Sequence, residues 1–445
     1  MSEKRNSITE GNIIRSLIIF ALPLLGGSLI QQLYNTADMI FAGRFVSKEA
    51  AAAVGASGLL FTCVIGLLTG ISVGVGILIS HKTGAKDYEG IHNTVKTSIF
   101  FGTISGIVLT AGGLIFSEKL LTVMNTPSEI MDESALYLKI YFLSMIPMII
   151  YNMGSGIIRS SGNSKLPFCI LVAGGLLNII SNAVFVIIFG MGVAGVAIAT
   201  LISQGITAIL TVIFLFKENF LNLSDLKSFN LDFHILSKII HYGLPAGIQS
   251  MIITFSNIVV QFYINGYGSD AVAAYASYFK LENFVWLPIV SIGQAITTFT
   301  AQNTGARNYE RIRKGTLVAT FLSIGVTAIL TGIILTFSEI SLEIFIKDVE
   351  VIALGKKIIF ITFPFYWLYS ILETFGGSVR GMGYSLTSMS IIIGSLCIMR
   401  IFLLMGLSRL DTGFQGIALV YPVTWFTAAI LFVLVFMKRV TPNYS

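Results

Sequence analysis

The sequence predicts an all-α polytopic membrane protein, with twelve transmembrane helices in two pseudo-symmetric six-helix lobes arranged as a parallel repeat. Three observations carry this. Of 445 residues, 55% are hydrophobic and 11% are charged, with a mean hydropathy of +0.85, whereas a soluble domain carries roughly 25% charge. Apolar runs of about 20 residues, the length a helix needs to cross roughly 30 Å of hydrocarbon, recur along the whole chain. The second half also repeats the first in register. Helices satisfy their own backbone groups in lipid, and the alternating ten-residue segments of a barrel are absent.

Taken in order, the expected spans are 16–41, 52–80, 94–116, 136–158, 166–189, 193–216, 239–264, 271–302, 315–337, 352–378, 386–407 and 414–437. Lys4, Arg5 and Arg15 precede the first run, which is too long for a signal peptide and lacks a cleavage site, so it is expected to be retained. The polar stretch Lys217 to Lys238, with Asp225, Lys227, Asn230 and Asp232, separates spans six and seven. It divides the chain into an expected N-lobe, residues 1–220, and C-lobe, residues 221–445. With the N-terminus inside, inner segments hold eighteen of the 28 Lys and Arg and outer segments eight, while Lys280 and Arg400 fall within spans. Both termini are therefore expected to be cytoplasmic.

The repeat is the strongest pattern. Leu22-Pro23, Ser28 and Asn35 recur 222 residues later as Leu244-Pro245, Ser250 and Asn257. At an offset of 221, Thr83-Gly84-Ala85 returns as Thr304-Gly305-Ala306, Gly156, Arg159 and Gly162 as Gly377, Arg380 and Gly383, and Gly192 and Gly195 as Gly413 and Gly416. Six spans per repeat give both halves the same orientation, with a substrate path expected between them near the midplane.

Soluble-enzyme motifs are missing: no Walker loop, no H-E-x-x-H, no G-x-S-x-G and no Cys/His cluster. The chain is not expected to be an enzyme or to hold a cofactor. The net charge of +6 is scattered through short loops, so no nucleic-acid partner is expected. Cys63, Cys169 and Cys397 lie in apolar runs and read as small core residues. His81, His92, His234 and His241 read as solvated span-end or loop histidines. Without an ATP site, uphill transport must draw on an ion gradient, which narrows the search to polar groups within spans.

The first span is organised around Pro23, which is expected to bend it, the polar run Gln31, Gln32, Asn35 and Thr36, and one carboxylate, Asp38. A carboxylate at membrane depth costs roughly 2.5–3.5 kcal/mol on insertion scales. If it faces the protein interior, desolvation favours its neutral form, so a proton or cation can come and go. Asn178 and Asn182, four apart on one helix face, and Thr200 supply further oxygens for a hard cation such as sodium at Asp38. The competing reading of the asparagines is interhelical hydrogen bonding. The second half lacks this set, with Val260, Met399 and Tyr421 at the equivalent positions.

The second half has its own charges within spans: Lys280, Glu282, Glu373 and Arg400. Glu373 is expected either to attract a cationic substrate or to pair with Arg400, with a structural salt bridge as the alternative. Gln31, Tyr34, Asn35, Tyr151, Tyr278, Glu282 and Glu373 are the candidate substrate-cavity residues, aromatic faces serving to hold flat cations.

These features resemble the multidrug and toxic compound extrusion (MATE) transporters. The resemblance covers essentially the whole chain and rests on the Leu22-Pro23 helix, the stretch DMIFAG from Asp38 to Gly43, the Gly84-Ala85 and Gly305-Ala306 loops, the Arg159 and Arg380 loops, and the doubled six-span half. It implies a secondary active exporter of organic, often cationic, compounds in exchange for protons or sodium ions by alternating access, with two lobes around a central cavity. Such a protein sits in the cell membrane among lipids, and a monomer is expected.

Residue by residue, Asp38 matches the family's first-span acid, and Asn178 and Thr200 match polar members of its N-lobe cation site. Asn182 stands where many bacterial relatives carry a second acid, in an N-x-x-x-D-P pattern that here reads NIISNA. That departure leaves Asp38 as the titrating group and weakens the case for tight sodium binding. The seventh-span acid of one branch is absent, since Ile253 sits eight residues after Pro245. The alternative is a lipid-linked oligosaccharide flippase, whose pyrophosphate cargo calls for many more basic residues within spans than Lys280 and Arg400.

Overall fold

The computed structural model describes residues 8–222, 224–225, 231–409 and 413–440, so Lys4, Arg5, Lys227 and Asn230 lie outside the described residues, as do the side chains of Cys63 and Arg409. Every regular element among the described residues is helical. In chain order they are α1 (Ile13–Phe45), α2 (Lys48–Gly84), α3 (Tyr88–Val123), α4 (Ser128–Leu143), α5 (Met145–Ser160), α6 (Lys165–Asn182), α7 (Gly192–Lys217), α8 (Phe233–Asn265), α9 (Ser269–Gly305), α10 (Tyr309–Thr336), α11 (Ser338–Glu343), α12 (Val349–Thr362), α13 (Tyr366–Gly381), α14 (Ser385–Ile392), α15 (Arg400–Arg409) and α16 (Gly413–Val440). Eleven stretches are helical, long and apolar enough to cross a membrane. A twelfth crossing, at the expected fourth span, is α4 and α5 together, bent by 46° at Ser144. Pro147, just inside α5, lacks the N–H that would continue the ladder and crowds the carbonyl one turn back, which accounts for the break.

The repeat persists in local geometry. A 3-10 turn at Phe363–Phe365 interrupts the tenth crossing at the position equivalent to Ser144. Lys86 and Arg307, which follow the Thr-Gly-Ala turns, share the left-handed conformation at φ 58° and 56°. Gly162 and Gly383 both stand at φ 94°, a value that strains any side-chain-bearing residue.

The chain forms two compact units, Gly26–Gly247 and, together with Ile8–Leu25, Ile248–Ser445. These seams differ from the expected cut after residue 220. The N-terminal part of α1 packs with the second unit and the N-terminal part of α8 with the first. Each seam follows a proline, Pro23 or Pro245, where the missing backbone donor weakens the helix.

In the first unit, α2 and the N-terminal half of α8 cross backbone to backbone. Gly70 and Gly74 face Gly243 and Gly247, two G-x-x-x-G pairs. A Cβ at Gly70 would lie 2.1 Å from the Gly247 nitrogen, and one at Gly74 2.5 Å from that of Gly243. Lipid tails are as apolar as leucine, so helix association here rests on such close van der Waals contact. The linker after α7 is tied down by Asp225, 3.2 Å from His92 and 4.0 Å from Lys96 on α3. His92 is thus a partner of the linker and not a merely solvated histidine. Cys169 is exposed, against the expectation of a core residue, while Cys397 is buried.

In the second unit, Leu17, Phe20, Ala21 and Leu24 of α1 pack with Ile292, Ala295, Ile296 and Phe299 of α9. Arg311 fixes the entry of this segment, donating to the carbonyls of Ile8, Glu10 and Gly11 and covering the Phe299 ring at 5.3 Å. Hydroxyl pairs join α10 to α13: Thr316 with Ser378 and Thr320 with Thr374, both at 2.8 Å, and Thr327 with Ser370 at 2.9 Å.

Overpacking of this kind costs about 1–3 kcal/mol, so Gly70→Val should lower the thermal midpoint of the detergent-purified protein. Gly205→Ala, whose added Cβ meets nothing within 4 Å, should not. Desolvation opposes ionisation of Asp225, but the Asn222 N–H, His92 and Lys96 outweigh it and hold its carboxyl below the usual carboxylate range. A carboxylate stabilised in this sense contributes at neutral pH and loses its contribution only as pH falls below about 4. Asp225→Asn should therefore raise hydrogen exchange around residues 219–225 at pH 7, with unchanged exchange counting against the tether.

Candidate functional site

Asp38 lies in the C-terminal half of α1, within the first unit, and is 6% exposed. Its Oδ1 accepts a hydrogen bond from Asn182 Nδ2 at 2.7 Å, and its Oδ2 accepts from Thr200 Oγ1 at 3.2 Å. Asn182 Nδ2 also donates to Asn178 Oδ1 at 3.0 Å. Asn178, Asn182 and Thr200 are fully buried. The four residues expected to form a cation site therefore meet, drawn from α1, α6 and α7.

Local sequence explains the convergence. Asn178 and Asn182, one turn apart, present one face of α6. Immediately after Asn182 the helix widens into a π-helical stretch, Ala183–Ile188, a distortion that often accompanies functional sites. One turn before Asp38, Tyr34 places its hydroxyl 3.2 Å from Ser203 Oγ, and Ser203 bonds back to the Thr200 carbonyl at 2.9 Å. The sequence reading missed Ser203, although its spacing of three from Thr200 puts both on one helix face.

Chemically, an ionised carboxylate here is removed from water and held by two donors. Hydrogen bonds to charged groups contribute about 1.5–3 kcal/mol each, which offsets desolvation only in part. A proton or a monovalent cation removes the remaining penalty. The buried Asn182 Oδ1 has no hydrogen-bond partner. The amide turns its nitrogen, not this oxygen, toward Asp38 and Asn178 Oδ1, so an oxygen set that suits a hard cation requires that amide to flip.

The second unit is built differently. At the repeat-equivalent positions Val260 and Tyr421 are buried, and the Tyr421 hydroxyl is 2.5 Å from that of Tyr275. Its carboxylate is Glu282 on α9, which accepts a hydrogen bond from the buried Tyr366 hydroxyl. Tyr278, fully buried, stacks on Tyr275 at 5.8 Å, and Trp425 closes on Tyr366 at 4.7 Å. Arg400, 4% exposed, covers the Tyr421 ring at 4.8 Å and donates to Asn257 Oδ1 at 3.2 Å. Glu282 and Arg400 thus both touch one aromatic cluster.

One expectation needs correction. Glu373 is 2.6 Å from Arg380; it does not pair with Arg400, and its charge is engaged by that salt bridge. The seven-residue spacing, about 10 Å of helical rise, is closed by two long side chains. Of the candidate cavity residues, Gln31 and Asn35 are exposed on α1, the Tyr34 hydroxyl is 3.2 Å from Ser203 Oγ beside the Asp38 site, and Tyr151 reaches the Pro167 carbonyl at 3.3 Å.

Comparison with known proteins places this geometry. The MatE family profile matches twice, over residues 23–184 and 245–405, and these two matches begin 222 residues apart and end 221 apart. The chain is similar to "Probable multidrug resistance protein YoeA" of Bacillus subtilis (strain 168), 30% identical over 84% of this chain and 82% of that protein. It is also similar to "Multidrug export protein MepA" of Staphylococcus aureus, 26% identical over 97% of this chain and 96% of the relative. Among solved structures, a MATE protein in the bent conformation superposes with a TM-score of 0.94 at 23% identity, covering 100% of this chain and 99% of that one. A twice-matched profile over most of the sequence, an equal likeness to whole relatives and the doubled helical architecture lead to one conclusion: this chain belongs to the MatE family.

Proposed function

We propose that this protein is a secondary active multidrug exporter that releases organic, often cationic, compounds in exchange for protons or sodium ions by alternating access. The observation that carries the reading is the single carboxylate, Asp38, enclosed by Asn178, Asn182 and Thr200. Multidrug relatives matching nearly the full length of the chain favour this cargo over a lipid-linked oligosaccharide.

Proton or sodium entry at Asp38 neutralises the buried charge. A neutral Asp38 no longer needs both donors, so the outer half of α1 is free to rearrange about Pro23, and substrate is released outward. In the second unit, Glu282 within its aromatic surround offers an organic cation both a counter-charge and ring faces. Glu373 is assigned to the helix-end salt bridge with Arg380. The Lys and Arg bias supports cytoplasmic termini for a protein resident in the cell membrane, acting as a monomer.

Asp38→Asn should reduce gradient-driven drug efflux from proteoliposomes at least tenfold and flatten its pH dependence, while drug binding to the purified protein persists. Unchanged pH-dependent efflux from that variant would sink the coupling account. Asn182→Asp adds a second carboxylate to the oxygen set, and ligand charge count sets cation affinity. Transport by that variant should become more strongly stimulated by an imposed sodium gradient than the native protein is, and the same vesicles can be tested with a pH gradient alone.

A further inference from the structure

The two units carry the same surface groove. In the first, α6 and α7 enclose a volume of about 270 Å³ lined by Leu166, Cys169, Ala173, Leu210, Phe214 and Lys217. In the second, α14 with the π-helical stretch Ile393–Met399 and α16 enclose about 370 Å³ lined by residues including Thr387, Ser390, Gly394 and Leu431. At the repeat offset of 221, Leu166, Cys169, Ala173 and Leu210 correspond to those four in turn. Two copies of one groove have thus kept their place while their linings diverged.

Charge and depth say what fits the first groove. Cys169, Ala173, Leu210 and Ile213 are exposed along it, within segments apolar enough to span a membrane, so acyl chains are the medium it opens to. Lys217, the last residue of α7, is exposed at one end, and no carboxylate among the described residues lies within 4.0 Å of its amine. An apolar trough ending in an unopposed cation at a span terminus has the shape and polarity of a phospholipid with an anionic headgroup. Lys438 holds the equivalent place at the end of α16 but does not line the second groove, whose floor carries hydroxyls.

We infer that the α6–α7 groove is a binding site for an anionic phospholipid, its acyl chain lying along Leu166, Ala173 and Leu210 and its phosphate on Lys217. Near a membrane surface one lysine favours an anionic over a neutral headgroup by about fivefold. The site needs only the membrane-spanning fold, so it stands apart from the efflux reading.

Native mass spectrometry of the full-length protein in detergent, titrated with phosphatidylglycerol or phosphatidylcholine of identical chains, tests this. The native protein should retain phosphatidylglycerol about fivefold better. Lys217→Gln should remove that preference, Lys438→Gln should leave most of it, and Ala173→Phe, which fills the groove from an exposed position, should lower retention of both lipids. Equal retention of the two lipids by the native protein, an undiminished preference in Lys217→Gln, or a dimer mass that Ala173→Phe abolishes would each overturn the assignment.

Discussion

The structure turns on the negative charge of Asp38, kept away from water. Asp38 sits in the C-terminal half of an apolar helix, and the first unit has to provide what solvent would otherwise supply. It does so with an amide from α6 and a hydroxyl from α7. These two helices are held in place by the core of the same unit, where Val186, Val193, Val196 and Ala197 pack behind the polar cluster. The donors are therefore fixed in direction, and what can change is the charge they face. In the proposed mechanism the response to a proton or cation is movement of the carboxylate-bearing helix, α1, which carries Pro23 inside it.

Duplication has left two units of similar plan and unlike chemistry. Where the first has a carboxylate among small polar side chains, the second has Tyr275, Tyr421, Tyr366 and Trp425, with Arg400 covering one ring. The same divergence shows in how helices are joined. The first unit presses glycine against glycine between α2 and α8. The second places Ala21 and Leu24 against Ile292 and Ala295 and adds paired hydroxyls between α10 and α13. Small residues and hydroxyl pairs are alternative ways to bind helices when burial from water contributes nothing.

Much of this was legible in the sequence. Span length, the doubled half and the Asp38 to Thr200 set follow from periodicity and from the cost of a charge in lipid, both of which act within a single element. The misses arise where spacing along a helix does not determine the partner. Glu373 reaches Arg380 because both side chains are long and lean toward each other, although seven residues put their backbones two turns apart. Glu282 finds Tyr366, 84 positions away, which no local pattern announces. The exchange of helix halves at Leu25 and Gly247 is likewise invisible until packing is known, because a proline marks a weak point without saying which side docks where.

That exchange bears on biosynthesis. Ile8–Leu25 is made well before the surface it packs against, Ile292 to Phe299. The first unit in turn stays incomplete until Gly243 and Gly247 arrive to meet Gly74 and Gly70. Neither half can close its core from its own residues, so a nascent chain halted near its midpoint would leave exposed helical faces in the bilayer. Gene fragments encoding the two halves separately should require simultaneous expression to accumulate, because each unit takes a helix half from the other part of the chain.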